Sequence, residues 1–158
     1  MEFRILGKED AEELSEYVHP IWVETYAPII YGGMERAENI FDKWVGPDKV
    51  RKDMDSGHFY AYIMVDGERA GLVSAGKEGK DLEISKLYVA PEYRRRHLGL
   101  SALEHLMEIG RRDGCTRAVL EVNPKNEHAI ALYRRFGFEE IDRKEYDVGY
   151  TLIMAVDL

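Results

Sequence analysis

The residues best suited to chemistry lie in a short turn that is rich in arginine. A predicted strand over residues 82–89 ends before Pro91, and a predicted helix begins at Leu98. The first turn of a helix has backbone N–H groups without partners and carries the positive end of the helix dipole. Gly99 allows close approach to that backbone, and basic side chains add charge around it, namely Arg94, Arg95 and Arg96. The turn therefore predicts an anion site suited to phosphate, although a solvated basic turn would have the same sequence.

The charge of the chain is uneven. Its 158 residues carry 22 basic and 30 acidic side chains, a net charge of −8. Residues 94–135 hold 9 of the basic and 5 of the acidic side chains, which leaves 13 and 25 for the rest, a net of −12. One basic stretch in an acidic protein is more consistent with a small anionic ligand than with binding along a nucleic acid. The acidic remainder is compatible with a second, cationic partner. Charge runs are also common on solvated faces that bind nothing.

Length and composition limit the class of protein. Hydrophobic residues make up 45% of the chain and charged residues 33%, which excludes a disordered or collagen-like chain. The length predicts a single domain over residues 1–158. No apolar run approaches the ~18 residues of a membrane span, and the N-terminus lacks the blocks of a signal peptide. We therefore expect a cytoplasmic protein with no membrane partner and no nucleic-acid partner. Cys115 is the single cysteine and the histidines form no His-x-x-x-His pair, so no metal site is predicted.

Hydrophobic spacing and turn residues predict alternating helices and strands. The N-terminal part has a strand over 2–6, a helical segment over 9–26 and helices over 34–44 and 47–54. Pro20 should kink or break the helical segment, because it has no N–H to donate. The remaining elements are strands over 58–65, 69–76 and 82–89, a helix over 98–113, a strand over 118–122, a helix over 126–135 and a hairpin over 138–148 and 150–156. This order predicts an α/β sandwich with a mixed sheet.

Two blocks of sequence together resemble the Gcn5-related N-acetyltransferase (GNAT) family. The first is Arg94-x-x-His97-x-Gly99 after a strand that ends Leu-Tyr-Val-x-Pro, where the family has Gln/Arg-x-x-Gly-x-Gly/Ala. The second runs from E-V-N at residues 121–123 through Asn126 to A-x-x-x-Y at 129–133 and G-F at 137–138. The resemblance covers residues 58–158 well. Looser features resemble the polyamine-acetylating PaiA-like branch, namely Trp22, Thr25-Tyr26 and the segment 147–150.

The resemblance implies both the fold and the cofactor. The fold would be a mixed, mostly antiparallel sheet of about seven strands flanked by helices, in the order β-α-α-β-β-β-α-β-α-β-β. The cofactor would be acetyl-coenzyme A: in the family, loop amides hold its pyrophosphate and unpaired backbone groups of the preceding strand hold its pantetheine, with a backbone N–H near Leu87 or Val89 for the thioester oxygen. The residues implied to contact it are Leu87, Tyr88, Val89, Arg94, Arg95, Arg96, His97, Leu98, Gly99, Leu100, Ser101, Asn126 and Tyr133.

One residue departs from the family pattern. His97 stands where the family usually has glycine. Its side chain would have to point away from the pyrophosphate, or the loop would have to adopt another geometry. Asn126 has a second explanation as well, since asparagine is a common cap at the start of a helix.

Glu83 and Tyr133 are the candidates for moving protons during acetyl transfer. Glu83 matches the register of the general base of histone acetyltransferases, and a carboxylate on a buried strand can have its pKa raised toward neutrality. Ser85, on the same face of the strand, could relay the proton. Tyr133 lies where the family often has the tyrosine that protonates the departing sulfur. The alternatives are structural: Glu83 could pair with Lys80 or Lys86, and Tyr133 could be a core residue.

The acceptor is expected to bind beside the N-terminal helices, because these helices line the acceptor pocket in the family. Aromatic rings and a carboxylate suit an amine substrate, and the candidates are Trp22, Glu24, Tyr26 and Tyr31, although the aromatic residues could equally be core. Together these features predict direct transfer of an acetyl group from acetyl-coenzyme A to a primary amine, specifically a small amine such as a polyamine. The alternatives are a protein lysine or N-terminal acetyltransferase and a non-catalytic acyl-CoA-binding module, which would need neither Glu83 nor Tyr133. The sequence leaves open whether the chain forms a homodimer.

Overall fold

In the computed structural model, which covers residues 1–158, the chain forms helices and strands. The elements are β1 (Glu2–Ile5), α1 (Ala11–Tyr26), α2 (Gly33–Val45), α3 (Pro47–Asp55), β2 (Phe59–Val65), β3 (Glu68–Glu78), β4 (Asp81–Val89), α4 (Leu98–Arg112), β5 (Arg117–Val122), α5 (Glu127–Phe136), β6 (Glu139–Tyr146) and β7 (Gly149–Asp157). Short 3₁₀ turns precede α1 and follow β4. None of the helices has the length and apolar character needed to cross a membrane.

The strands form one seven-stranded sheet in the order β1-β2-β3-β4-β5-β7-β6. Strands β4 and β5 are parallel, whereas β1 with β2, β5 with β7 and β6 with β7 are antiparallel. The predicted fold class, a mixed and mostly antiparallel sheet flanked by helices, is confirmed. The structure has three helices between β1 and β2, as the hydrophobic spacing predicts, whereas the order implied by the resemblance has two. Gly46 alone separates α2 from α3, and Pro47 restarts the helix at its first position, where proline loses no hydrogen bond.

Helix α1 continues through Pro20 without a break. Proline removes the hydrogen bond to the carbonyl four residues earlier, which belongs to Glu16. Both residues are exposed, so water can solvate that carbonyl. The opposite face of the helix is anchored in the core by Leu14 and Val18, which are fully buried. Of the two outcomes predicted at Pro20, a kink or a break, the break does not occur.

The chain divides into two compact units. The first consists of Met1–Ser74 and Lys86–Arg96, and the second of Ala75–Ser85 and His97–Leu158. The core of the first unit joins residues of α1, α2, α3 and β2, among them Leu14, Val18, Trp22, Phe41, Val50, Tyr60 and Tyr62. A single domain over the whole chain stays a prediction.

In the second unit α4 and α5 pack on one face of the strands. A Cβ atom at Gly110 of α4 would lie 3.3 Å from the Leu82 side chain of β4, and one at Gly137, after α5, would lie 3.6 Å from Val156 of β7. The residues of β5 and β7 that are buried on this face are even-numbered, for example Leu120 and Met154. Odd-numbered residues of these strands, together with Glu83 of β4, therefore lie on the opposite face.

Candidate active site

The turn between β4 and α4 has an unusual backbone at two residues. Arg95 and His97 adopt left-handed conformations, with φ of 65° and 58°. Such a conformation costs a residue with a side chain about 1–2 kcal/mol but is free for glycine. His97 occupies the glycine position of the family pattern, and its side chain is exposed. The left-handed backbone explains why glycine suits this position, and His97 adopts the same kind of conformation at an energetic cost.

Helix α4 begins with open hydrogen-bond donors. No side chain caps its N-terminus, and the bond from the Ser101 N–H to the His97 carbonyl (3.1 Å) closes its first turn. The N–H groups of Leu98, Gly99 and Leu100 therefore have no acceptor within the helix. Together with the dipole of the helix they make the start of α4 favourable for an anion.

Gly99 has a packing role that the sequence did not reveal. A Cβ atom at this position would lie 2.8 Å from Cδ2 and 3.3 Å from Cδ1 of Leu132 in α5. The missing side chain thus lets α4 approach α5 closely, in addition to any approach by a ligand.

The three arginines of the turn have different surroundings. Arg94 donates from Nη1 to the Glu24 carboxylate (2.6 Å) and from Nε to the Val89 carbonyl (3.2 Å). The guanidinium of Arg96 lies 5.3 Å from the centre of the Tyr93 ring. The side chains of Arg94, Arg95 and Arg96 are all exposed. Arg94 therefore connects the turn to α1, whereas Arg95 and Arg96 present charge to solvent.

Strand β4 contributes the residues on the N-terminal side of the turn. Its pairing with β5 covers Asp81–Ile84 and no later residue. Leu87, Tyr88 and Val89 are half-buried, and the Tyr88 hydroxyl lies 3.3 Å from the hydroxyl of Tyr26. Tyr88 is also close to β3, since a Cβ atom at Gly71 would lie 2.1 Å from the Tyr88 carbonyl oxygen. The structure thus brings Tyr26 and Tyr88 together, as it brings Glu24 and Arg94 together.

Glu83 and Ser85 are exposed on β4, between the buried residues Leu82, Ile84 and Lys86. The expected burial of Glu83 is therefore wrong, because its neighbour Leu82 faces α4 and turns Glu83 to the open face. Lys86, one of its suggested partners, lies instead 5.9 Å from the Tyr60 ring. Glu83 and Ser85 share a face, as predicted from strand alternation.

Tyr133 lies in the middle of α5 and is 9% exposed. Its ring packs 5.7 Å from that of Phe138, and its carbonyl accepts hydrogen bonds from the N–H groups of Gly137 and Phe138. Asn126 caps the helix, because its side-chain oxygen accepts from the Ala129 N–H at 3.4 Å. Both residues therefore have the structural roles that were given as alternatives, and neither role prevents a contact with a ligand.

Two of the expected acceptor residues differ in their burial. Trp22 is 4% exposed and packs against Tyr26 and Phe41, with ring centres 4.8 and 5.5 Å away. Tyr31 is 71% exposed, and its carbonyl accepts a hydrogen bond from Arg36.

A group of polar residues on β5 and β6 was missed in the sequence. The Tyr146 hydroxyl lies 3.1 and 3.3 Å from the two carboxylate oxygens of Glu121, to which it donates. The ammonium of Lys144 lies 5.4 Å from the centre of the Tyr146 ring. Alternation along β5 could have placed Glu121 on one face, but only the strand pairing shows that this face also carries Glu83.

The chain is similar to known acetyltransferases. The sequence profile of the acetyltransferase (GNAT) family matches residues 16–138. The uncharacterized N-acetyltransferase YjgM of Escherichia coli (strain K12) is 34% identical over 99 residues, which are 60% of this chain and 58% of that protein. This match thus spans less than two thirds of the relative. The spermidine N(1)-acetyltransferase of Thermoplasma acidophilum is 24% identical over 151 residues, 90% of either chain.

Solved structures share the fold. The crystal structure of the PaiA N-acetyltransferase of Thermoplasma acidophilum in complex with coenzyme A has a TM-score of 0.83 to this chain, with 22% identity over 100% of both chains. At this level of identity the likeness establishes the fold.

Proposed function

Since this chain belongs to the acetyltransferase (GNAT) family, we propose that it transfers the acetyl group of acetyl-coenzyme A to a primary amine of a small polyamine. The family match confirms the resemblance that the two motifs predicted. The observation that carries the proposal is the turn before α4, where open backbone donors and exposed arginines lie within one short segment.

This turn suits the anionic part of coenzyme A. The N–H groups of Leu98, Gly99 and Leu100 can donate to pyrophosphate oxygens, and the exposed Arg95 and Arg96 can add positive charge. The β4 residues beyond Ile84, which have no pairing with β5, offer backbone groups for the pantetheine. When bound, acetyl-coenzyme A supplies an acetyl group activated as a thioester.

The chain offers one residue for each proton that must move. Glu83 is exposed, and a carboxylate can act as a general base that takes a proton from the acceptor ammonium through water. Tyr133 holds on its phenolic oxygen the proton that the leaving sulfur requires. Both roles are proposals, and the direct transfer they describe needs no covalent acyl-enzyme.

Charge and similarity support a cationic acceptor. The chain outside residues 94–135 has 13 basic and 25 acidic side chains, so it can attract a polyamine while the basic stretch attracts the anionic cofactor. A relative that aligns with 90% of this chain is a spermidine N(1)-acetyltransferase.

A panel of amines with acetyl-coenzyme A tests the proposal, with release of free thiol as the readout. We expect kcat/KM to be highest for spermidine or a related polyamine, and added salt to raise its KM by screening. A lysine-bearing peptide and an N-terminal peptide belong in the same panel. Turnover of a peptide far above that of every small amine would show a protein acetyltransferase, and binding of coenzyme A without turnover of any amine would show a binding module.

A further inference from the structure

The open face of the second unit gathers polar residues from four strands. The strand pairing places Glu83 beside Val119, Glu121 beside Ile153, and Lys144 beside Thr151. Paired residues share a face of the sheet, and so do residues two apart on a strand. Glu83, Glu121, Thr151, Lys144 and Tyr146 therefore all lie on the face opposite α4 and α5. Their placement follows from the backbone alone.

The end of the β6–β7 hairpin lies close to β5. Tyr146 pairs with Gly149, and Glu121 pairs with Ile153, four residues further along β7. In a flat sheet the Cα atoms of Tyr146 and Glu121 would be about 16 Å apart, farther than their side chains reach together. Because the Tyr146 hydroxyl does donate to Glu121, the end of the hairpin must approach β5 more closely than it would in a flat sheet.

A buried hydroxyl on this face has no partner. The Oγ1 atom of Thr151 is buried and makes no hydrogen bond. It lies directly across from Lys144 in the strand pairing. A buried polar atom without a partner is unfavourable, and an ammonium N–H is a donor that could satisfy it.

An alkylammonium group already lies among these residues. The pKa of Lys144 is raised, first by a hydrogen bond with Tyr146 and further by the negative charges of Glu121 and Glu83. The side chain of lysine is chemically close to one arm of a polyamine. The face therefore stabilises an alkylammonium in the absence of any substrate.

We propose that Glu121 and Thr151 bind the second ammonium group of a polyamine acceptor while its reacting amine lies at Glu83, and that Lys144 competes for this subsite. The backbone positions of Glu83 and Glu121 are about 8 Å apart, which suits two amines separated by about three or four methylene groups. The inference rests on the proposed function, since it assigns the acceptor half of the same site. It differs from the sequence-based assignment of the acceptor to Glu24 and the N-terminal aromatic residues.

Steady-state kinetics of the full chain with spermidine and with hexylamine, which lacks further ammonium groups, test the proposal. We expect Glu121→Gln to raise the KM for spermidine about tenfold and that for hexylamine less than about twofold, since it removes one charged hydrogen bond. We expect Lys144→Gln to lower the KM for spermidine by about threefold, because it removes a competitor of the strength of an exposed ion pair. Glu140→Gln is the matched control, since Glu140 pairs with Met154 and lies on the other face of the hairpin.

Two results would overturn the proposal. An equal rise of KM for both amines in Glu121→Gln would mean that Glu121 only holds Tyr146 and the hairpin. A raised or unchanged KM for spermidine in Lys144→Gln would mean that Lys144 does not compete.

A binding measurement separates this inference from the proposed function. Calorimetric titration of spermidine into the coenzyme A complex needs no turnover. Weaker binding in Glu121→Gln and tighter binding in Lys144→Gln would support the subsite even if no amine were acetylated. Unchanged binding in both variants would reject the subsite even if spermidine were acetylated.

Discussion

The turn before α4 and the open face with Glu83 and Glu121 differ in charge and in how they are built. The turn is basic, and its donors belong to the backbone of a few consecutive residues. The face is acidic, and its side chains come from four strands that pair across the second unit. The turn is thus a local structure, whereas the face depends on the register of the sheet. Substitutions in the turn should change cofactor binding, and substitutions on the face should change proton transfer or acceptor binding.

The largest effect is expected from Tyr133→Phe. This variant tests whether acetyl transfer needs a residue of α5 in addition to the turn before α4 and the face with Glu83 and Glu121. The change removes one hydroxyl and keeps the buried ring, so the chain should fold normally. We expect kcat to fall about 10²–10⁴-fold, the usual contribution of a general acid, with unchanged affinity for coenzyme A. Thiol release measures the rate, and Tyr31→Phe, at an exposed tyrosine, is the control. If the variant had the wild-type rate in a single-turnover experiment, Tyr133 would be a core residue only.

Glu83→Gln tests the proton-transfer role of the acidic face. We expect kcat/KM to fall about 10²-fold near neutral pH, where the acceptor amine is protonated and needs a base. The loss should shrink at alkaline pH, where the free amine is abundant. A pH profile of kcat/KM for wild type and variant checks this, with Glu68→Gln at an exposed position as the control. A loss that is the same at every pH would assign Glu83 to binding instead.

Gly99→Val tests whether the turn depends on packing as well as on ligand approach. The new side chain would meet Leu132, and we expect the free energy of unfolding to fall by about 1–3 kcal/mol. Leu132→Ala makes room for it, so the two changes together should destabilise by less than the sum of each alone. Denaturant unfolding of the single and double variants gives this comparison. If the losses in the free energy of unfolding were additive, Leu132 would not be what the new side chain meets. Affinity of Gly99→Val for coenzyme A measures separately whether the new side chain blocks the ligand.

Glu24→Gln should have the smallest effect. It tests whether Glu24 contributes to cofactor binding at the turn or to binding of the acceptor. Its ion pair with Arg94 joins partly exposed side chains and is worth about 0.2–1 kcal/mol. We therefore expect affinity for coenzyme A to fall by less than about fivefold, with no change in the KM for spermidine. Calorimetry and kinetics measure the two quantities. A raised KM for spermidine with unchanged cofactor affinity would support the sequence-based assignment of Glu24 to the acceptor.

The turn could be predicted from the sequence because its signals are local. A strand that ends before a proline, an arginine-rich stretch and a helix start occur within residues 87–100, and α4 begins at Leu98 as predicted. His97 could be recognised as a departure, but its left-handed backbone became apparent only in the structure.

The acidic face could not be predicted, because it depends on contacts between distant residues. The exposure of Glu83 depends on which residues of β4 face the core, because Leu82 and Ile84 are buried and Glu83 between them lies on the other face. Glu121 was noticed only as part of a motif, and nothing local to β5 indicates that Tyr146 reaches it. The role of Gly99 in admitting Leu132 likewise depends on how α4 meets α5.

Mass spectrometry of the products from spermidine and acetyl-coenzyme A tests the central claim most directly. The wild-type chain should convert spermidine to a product heavier by one acetyl group, with one free thiol released for each. The same reaction with Tyr133→Phe should give far less product in the same time. If the wild-type chain bound coenzyme A but left spermidine and every other small amine unmodified, the account of a small-amine acetyltransferase would be contradicted.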